Sequence, residues 1–321
     1  MALLAGIDGG GSKTDCWLAD AQGKVLGRGR GGASSLTHVS GAEAARQIEA
    51  ALREAFAGAR LEYRPEEVAA ACGGFAGAGH QPAHGEYEEL LGRQFPRARC
   101  RIETDVRIGF EGGLAGHPGV IVIAGTGSIA YGRNGGGGEA RAGGYGPELS
   151  DEGGGFVLGR EAVRRVLEAY DGRRPPTRLR DSILRHWRLE DEARLLDYLL
   201  SARQTAARQT PIRYAELLPA LQAAAADGDA AARELLEQAG AQLAALAVAV
   251  AQRLELTLPE IAYAGSVLNH SEAVRESWSR EMRRQLPGAR LLAAAAPPPA
   301  GALRLAASML TVNGAEISEL S

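Results

Sequence analysis

The chain has 321 residues, 45% of them hydrophobic and 23% charged, with a formal net charge of -3. That length exceeds one ordinary core and suits two, and the composition is that of a folded globular protein rather than a disordered one. The weak negative charge gives no electrostatic reason to expect nucleic acid or an anionic membrane surface as a partner, so a small molecule is the expected ligand.

Met1 to Ile7 is apolar but carries no basic leader and is interrupted at once by Asp8, so no signal peptide is expected. Leu3 to Ile7 reads instead as a buried strand, followed by Asp8-Gly9-Gly10-Gly11-Ser12 and a second strand from Lys13 to Ala19. Asp20 to Gly23 is a turn, and Lys24 to Arg28 a third strand. A glycine loop that leads from strand to strand is a hairpin, which disfavours the P-loop and the dinucleotide fingerprint, where the strand enters a helix. Helical periodicity follows from Gly41 to Phe56. Val68 to Cys72 is a small-residue strand that runs into Gly73 to Gly79, Glu86 to Phe95 a helix, and Arg101 to Thr104 a strand ending on Asp105.

After a break at His117-Pro118-Gly119 the opening pattern returns. Val120 to Ala124 is an apolar strand, Gly125-Thr126-Gly127-Ser128 a glycine hairpin, and Ile129 to Gly132 a strand ending at a turn, Asn134-Gly135. Ile7 to Ser12 aligns with Ile123 to Ser128, and two copies of one lobe are implied. Helical segments follow at Glu161 to Ala169, Ile183 to Leu200 and Ala215 to Leu256, broken at Pro211 and Asp227-Gly228. The apolar run Leu243 to Val250 falls short of the roughly 20 residues of a membrane span and reads as a buried helix. Ile261 to Ala264 is a strand ended by Gly265-Ser266, Pro297-Pro298-Pro299 stops another segment, and Gly301 to Leu310 is a helix. The alternation predicts an α/β protein with mixed sheets.

Glycines 9 to 11 let backbone N–H groups approach an anion, and Ser12, Lys13 and Thr14 add donors and a positive charge. The second hairpin repeats that physics, so that two loops facing each other across a cleft would grip a polyphosphate from both sides. A carboxylate at Asp8 would repel the phosphates unless a magnesium ion stood between them, directly or through water, so Asp8 is read as magnesium-associated. Phosphoryl transfer to a hydroxyl needs a proton acceptor that orients the attacking oxygen, and Asp105 at the mouth of a strand is the candidate, although Thr104-Asp105 would equally cap the following helix. Asp151-Glu152, after Gly143-Gly144-Tyr145-Gly146, pairs carboxylates with an aromatic as sugar sites do; an ordinary helix N-terminus also favours them. The six histidines form no cluster at metal-ligand spacing, His80 and His84 being assigned to a solvated loop around Pro82, and no transition metal is expected. Cys16, Cys72 and Cys100 are widely spaced in strand-like segments, as buried thiols of a reducing compartment would be, and the cytoplasm is the expected location.

Taken together, Asp8 to Thr14, Thr104-Asp105, Ala124 to Ser128, Gly143 to Gly146 and Ser150 to Gly153 resemble the BadF/BadG/BcrA/BcrD ATPase family, and within it the N-acetylglucosamine and glucosamine kinases. The resemblance covers nearly the whole chain. It implies a duplicated ribonuclease H-like, actin-like fold of two lobes with mixed five-stranded sheets flanked by helices. The lobes are expected at 1–117 and 118–321, with the last helix a candidate to pack back on the first. It also implies ATP and sugar as ligands and a homodimer. The family's roles fall on Asp8, Gly10, Gly11, Ser12 and Lys13 for the first phosphate loop, on Thr126 and Gly127 for the second, and on Asp105 for the base; Thr14 in the first loop and Gly125 and Ser128 in the second are added as phosphate-binding from their place in the hairpins. Gly265 and Ser266 fall near the adenosine. Gly144, Tyr145 and Asp151 fall on sugar-binding positions, joined by Gly77 and Asp105.

This chain departs from the pattern where it has Gly32 to Leu36 in place of a segment bearing an asparagine, Ile129 in place of another asparagine, and Tyr145 in place of tryptophan. The expected activity is transfer of the ATP γ-phosphoryl group to a sugar hydroxyl, O6 of N-acetylglucosamine, glucosamine or a related hexose. An activator ATPase on the same fold would need clustered cysteine ligands for an iron–sulfur centre, and a sugar-sensing regulator would be expected to carry a DNA-binding element.

Overall fold

The computed structural model describes residues 2–205 and 210–311, and the chain divides into two compact units: Met1–His117 together with Ala294–Ser321, and Pro118–Ala293. The first unit contains β1 (Leu3–Gly9), β2 (Thr14–Asp20), β3 (Val25–Gly31), α1 (Gly41–Gly58), β4 (Val68–Phe75), α2 (Ala83–Gln94), β5 (Arg99–Thr104) and α3 (Asp105–Gly113). Its sheet has the order β3-β2-β1-β4-β5, antiparallel across β1–β2–β3 and parallel across β1–β4–β5.

Both faces of this sheet are covered, which is why β1 reads as an almost continuous apolar run rather than an alternating one. Leu3, Ala5 and Ile7 point to a core shared with Ile48, Leu52 and Phe56 of α1 and Leu91 of α2. The intervening face, carrying Leu4 and continuing to Asp8, turns the other way. Strand β3 alternates glycine with arginine, and the glycines are what α1 lies against: a Cβ on Gly27 would stand 2.0 Å from the Ala55 carbonyl oxygen, and one on Gly29 2.1 Å from that of Ala51. Residues 51 and 55 are one helical turn apart and 27 and 29 one strand repeat apart, so helix and strand run flush only because these side chains are missing.

The second unit contains β6 (Gly119–Ala124), β7 (Ser128–Arg133), β8 (Glu139–Gly143), α4 (Gly155–Tyr170), α5 (Leu179–Trp187), α6 (Glu192–Thr205), α7 (Thr210–Ala215), α8 (Leu218–Ala226), α9 (Ala230–Arg253), β9 (Glu260–Ala264), α10 (Ser266–His270), α11 (Glu272–Gln285) and β10 (Arg290–Ala293). Its sheet has the order β8-β7-β6-β9-β10, again antiparallel through the first three and parallel through the last three. Strand for strand this is the first sheet repeated, so the duplication extends from the glycine hairpin to the whole sheet. Among the described residues, α9 alone is long and apolar enough to cross a bilayer, but its Leu235, Leu236, Leu243, Ala247 and Val250 are buried in the core of this unit.

The chain then returns to the first unit as α12 (Pro298–Thr311), where Ala302, Leu303 and Ala306 pack on Leu4, Ala70, Cys72 and Ile108. Pro298 opens this helix rather than only stopping what precedes it, because a residue of the first turn needs no N–H. The segment expected as one helix from Ile183 to Leu200 is two, parted where Arg188 takes a left-handed conformation with φ 55°. Helix α4 begins at Gly155, six residues before the expected Glu161. His84 stands in the first turn of α2 rather than in a solvated loop, since Pro82 occupies the N-cap, where proline is tolerated. Cys16 and Cys72 are buried in β2 and β4, their thiols pushed up to about 12 by burial, whereas Cys100, also expected to be buried, is only half-buried because β5 is the edge strand of its sheet.

Candidate active site

Strand β1 delivers Asp8 to the first glycine hairpin. Gly10 N–H donates to the Lys13 carbonyl at 2.9 Å, Ser34 and Ser35 N–H both reach the Gly10 carbonyl at 3.1 Å, and Ala76 N–H reaches that of Gly9 at 3.2 Å. The carbonyls of Gly9, Gly10 and Lys13 are therefore committed to protein, a state in which a glycine hairpin can turn N–H groups toward an anion. Gly10, Gly11 and Ser12 form the tip. Thr14, expected to add a hydroxyl donor, is fully buried: its Oγ1 donates to the Gly32 carbonyl at 2.7 Å and is paired with Ser34 Oγ at 2.7 Å. Its side chain ties β2 to the end of β3 and is not presented with the tip. Lys13 is 52% exposed, and its Nζ stands 2.5 Å from Asp15 Oδ2, while Arg30 Nε donates to Asp15 Oδ1 at 2.8 Å.

Asp8 is partly buried on the sheet face that also carries Asp15. Burial, together with the nearby charge of Asp105, pushes its carboxyl up to about 7, against the opposing pull of Lys13. Asp15 has the opposite fate: although burial acts to raise it, the hydrogen bonds from Lys13 and Arg30 keep it below the ordinary carboxylate range. A cavity of about 510 Å³ beside Asp8 is lined by Lys13, Asp15, Trp17, Arg28 and Arg30, with the Arg28 guanidinium 4.2 Å from the Trp17 ring centre.

Asp105 is the first residue of α3. The cap belongs to Thr104, whose hydroxyl accepts from Arg107 N–H at 3.2 Å, while Asp105 Oδ1 accepts from Val106 N–H at 2.9 Å. The carboxylate is accessible to solvent yet crowded by protein, and that desolvation raises its pKa. A second cavity, of about 410 Å³, adjoins it through Thr104 and is lined by Ala78, His80, Gln81, His84, Ile102 and Glu103. Gly77 turns the chain beside it with φ 87°. Asp8, the first glycine hairpin, Gly77 and Asp105 are thus gathered at the ends of β1, β4 and β5.

The second unit supplies the other expected residues. Gly125 N–H closes the loop on the Gly127 carbonyl at 2.9 Å, and the first turn of α4 grips it from behind, Gly155 N–H donating to the Gly125 carbonyl at 2.8 Å and Phe156 N–H to that of Thr126 at 2.9 Å. Ser128 is buried with both of its donors committed, N–H to Asp151 Oδ1 at 3.3 Å and Oγ to the Glu152 carbonyl at 2.7 Å. Among the described residues, Thr126 and Gly127 are left as the loop's N–H donors without a protein acceptor. Asp151 is 8% exposed, and burial raises its pKa. Gly144 has φ 71°, and Tyr145 is 57% exposed with the Arg141 guanidinium 4.9 Å from its ring centre. Gly265, at φ 90°, lies against the end of β6, where a Cβ would stand 2.3 Å from the Ala124 carbonyl oxygen, and Ser266 begins α10.

Asp15 and Arg30 were not singled out from sequence. The signal was available in the hairpin itself, because closing it on Gly10 and Lys13 sets Asp8 opposite Asp15, and the next strand then sets Asp15 opposite Arg30. Among the described residues no group of three histidine, cysteine or carboxylate side chains could hold a metal alone. Asp8 fits a magnesium ion held chiefly by phosphate oxygens, since a crowded carboxylate with a second carboxylate nearby gains from a divalent cation.

The sequence profile of the BadF/BadG/BcrA/BcrD ATPase family matches residues 5–306. An N-acetylmuramic acid/N-acetylglucosamine kinase of Clostridium acetobutylicum is 29% identical over 294 residues, 91% of this chain and 94% of its own. A glucosamine kinase of Vibrio cholerae is 30% identical over 251 residues, 78% of this chain and 81% of its own. The crystal structure of a candidate N-acetylglucosamine kinase from Chromobacterium violaceum superposes with a TM-score of 0.79 at 30% identity, over 95% of this chain and 99% of that one. With the duplicated five-stranded sheet and both glycine hairpins in place, the chain belongs to the BadF/BadG/BcrA/BcrD ATPase family.

Proposed function

We propose that this protein is an ATP-dependent carbohydrate kinase that transfers the γ-phosphoryl group to a hydroxyl, O6, of N-acetylglucosamine, glucosamine or a closely related hexose. The observation that carries this reading is Asp105: a solvent-accessible carboxylate with a raised pKa, on the first residue of a helix, gathered with Asp8 and the first glycine hairpin. A carboxylate of raised pKa is a better proton acceptor than an ordinary one, and accessibility lets a substrate hydroxyl reach it. The names of the relatives agree with a sugar as the acceptor.

Asp105 takes the hydroxyl proton as the sugar oxygen bonds to the γ-phosphorus, and the bond from that phosphorus to the β–γ bridging oxygen breaks, releasing ADP. Most of the rate comes from positioning and from compensating charge on the phosphoryl oxygens. In the first unit Gly10, Gly11, Ser12 and Lys13 bind phosphate, and the 410 Å³ recess with Gly77 receives the sugar. In the second, Thr126 and Gly127 bind phosphate, Gly265 and Ser266 adjoin the adenosine, and Gly144 and Tyr145 contact the sugar. Asp8 and the phosphates would hold a magnesium ion, which when bound would supply charge neutralisation. The proposal extends to a cytoplasmic homodimer, an oligomeric state that light scattering would test.

Sugar-dependent ADP release from magnesium-ATP across a hexose panel, with product position assigned by phosphorus–proton NMR, is the test. Release that ignores every sugar would instead favour an activator ATPase, a reading that the three cysteines do not support, Cys16 and Cys72 being buried and Cys100 half-buried on separate strands.

A further inference from the structure

The resemblance to sugar kinases places Asp151 with the sugar, yet its surroundings are those of the second glycine loop. Asp151 has φ 67°, a left-handed conformation that costs most side chains energy and that aspartate and asparagine tolerate best. That conformation folds the carboxylate back beneath residues 125–128. Oδ1 accepts from Ser128 N–H at 3.3 Å, and Oδ2 lies where it would stand 2.6 Å from a Cβ on Gly127. The Asp151 carbonyl accepts from Gly154 N–H at 2.9 Å, the turn that launches α4, whose next two N–H groups hold the carbonyls of Gly125 and Thr126. One residue thereby joins the base of the loop to the helix start that grips its other side.

We propose that Asp151 is a positioning residue for nucleotide binding: its carboxylate seats Gly127 and fixes Ser128, so that the N–H groups of Thr126 and Gly127 are presented together to a phosphate. Among the described residues, those two are the N–H groups of the loop not bonded to a protein acceptor. Two adjacent N–H groups bind one anion well only when their relative direction is fixed beforehand, and the loop's own glycines leave that direction loose. Asp151 removes the freedom from one side and α4 from the other.

The inference rests on the kinase reading, and the experiment separates the two. Affinity for magnesium-ATP is measured by calorimetry without sugar for the parent, Asp151→Asn and Asp151→Gly, alongside thermal melting. Glycine keeps the left-handed backbone and deletes the carboxylate, whereas asparagine keeps both the backbone and an acceptor oxygen. The expected result is a loss of at least about tenfold in nucleotide affinity for D151G and recovery to within about threefold of the parent for D151N, a rescue that loss of charge at a sugar contact would not produce. D151G binding nucleotide as the parent does, with only the sugar KM raised, overturns the proposal; so does D151N losing as much as D151G. Should D151G fail to fold, Gly127→Ala crowds the same carboxylate from the loop side, and an unchanged nucleotide affinity in that variant overturns it equally. A parent that binds no magnesium-ATP refutes the kinase reading itself.

Discussion

Asp8 and Asp15 stand directly opposite one another in the antiparallel pairing of β1 and β2, and only Asp15 has cations hydrogen-bonded to it. Like charges in that relationship repel, and the protein resolves the conflict asymmetrically. Lys13 and Arg30 keep Asp15 ionised, while Asp8 is left with a carboxyl near neutrality, in want of a cation.

The first prediction concerns stability without ligands. Asp8 has its folded pKa raised from 3.8 to about 7, so the folded state binds the extra proton between those values. The stability this group contributes is full below pH 4 and is lost as the pH rises through 7. Asp8→Asn, which cannot ionise, should therefore melt higher than the parent at pH 8 and lose that advantage by pH 4. The gain has a ceiling of about 4 kcal/mol, reduced by solvent screening. Equal pH dependence of the two melting curves would contradict it.

Asp105→Asn removes the proposed proton acceptor but keeps the Oδ1 bond to Val106 and the Thr104 cap. Turnover should fall by about two to four orders of magnitude, with affinity for magnesium-ATP within about twofold of the parent. Because the Asp105 pKa is raised, kcat/KM in the parent should decline on acidification at a pH above the ordinary carboxylate range. A variant as fast as the parent dismisses Asp105 as the base.

Thr14→Val tests whether this hydroxyl serves phosphate or structure. Valine keeps the shape and leaves the Gly32 carbonyl and Ser34 Oγ without their partner. A loss of about 1–3 kcal/mol in unfolding free energy is expected, with the larger effect on melting than on nucleotide affinity. The reverse balance would return Thr14 to the phosphate site.

Lys13→Ala removes the one cationic side chain at the hairpin tip. Nucleotide KM should rise about tenfold, the usual worth of one charge-assisted hydrogen bond, with little change in the sugar KM. Asp15 then loses one of its two cationic partners, so its carboxyl should titrate closer to the ordinary range, a shift that NMR of labelled aspartate would follow.

Much of this was legible in one dimension. The glycine hairpins, the carboxylates that precede or follow them and the apolar runs of β1 and β6 are local patterns with local causes, and both hairpins stand where the pattern put them. Strands β8 and β10 were not legible. Each is a short edge strand, Glu139–Gly143 and Arg290–Ala293, whose extended form comes from pairing with a neighbour and not from its own alternation. Helix α11 was missed because its charged sequence buries only Val274, Ser277, Trp278 and Met282, and their spacing becomes meaningful only against α9.

What sequence decided on its own is the inventory: two glycine hairpins, an acid at the mouth of a strand, and a repeat that doubles the sheet. Tertiary structure decided how the members are employed. Whether a hydroxyl such as that of Thr14 faces solvent or a buried carbonyl, and whether the Asp151 carboxylate stands free or accepts from Ser128, depends on which residues far along the chain supply the hydrogen-bond partners. The physical reason is range. A glycine's freedom or a strand's alternation is a property of a few consecutive residues, whereas the satisfaction of a buried polar group is settled only when separate segments meet.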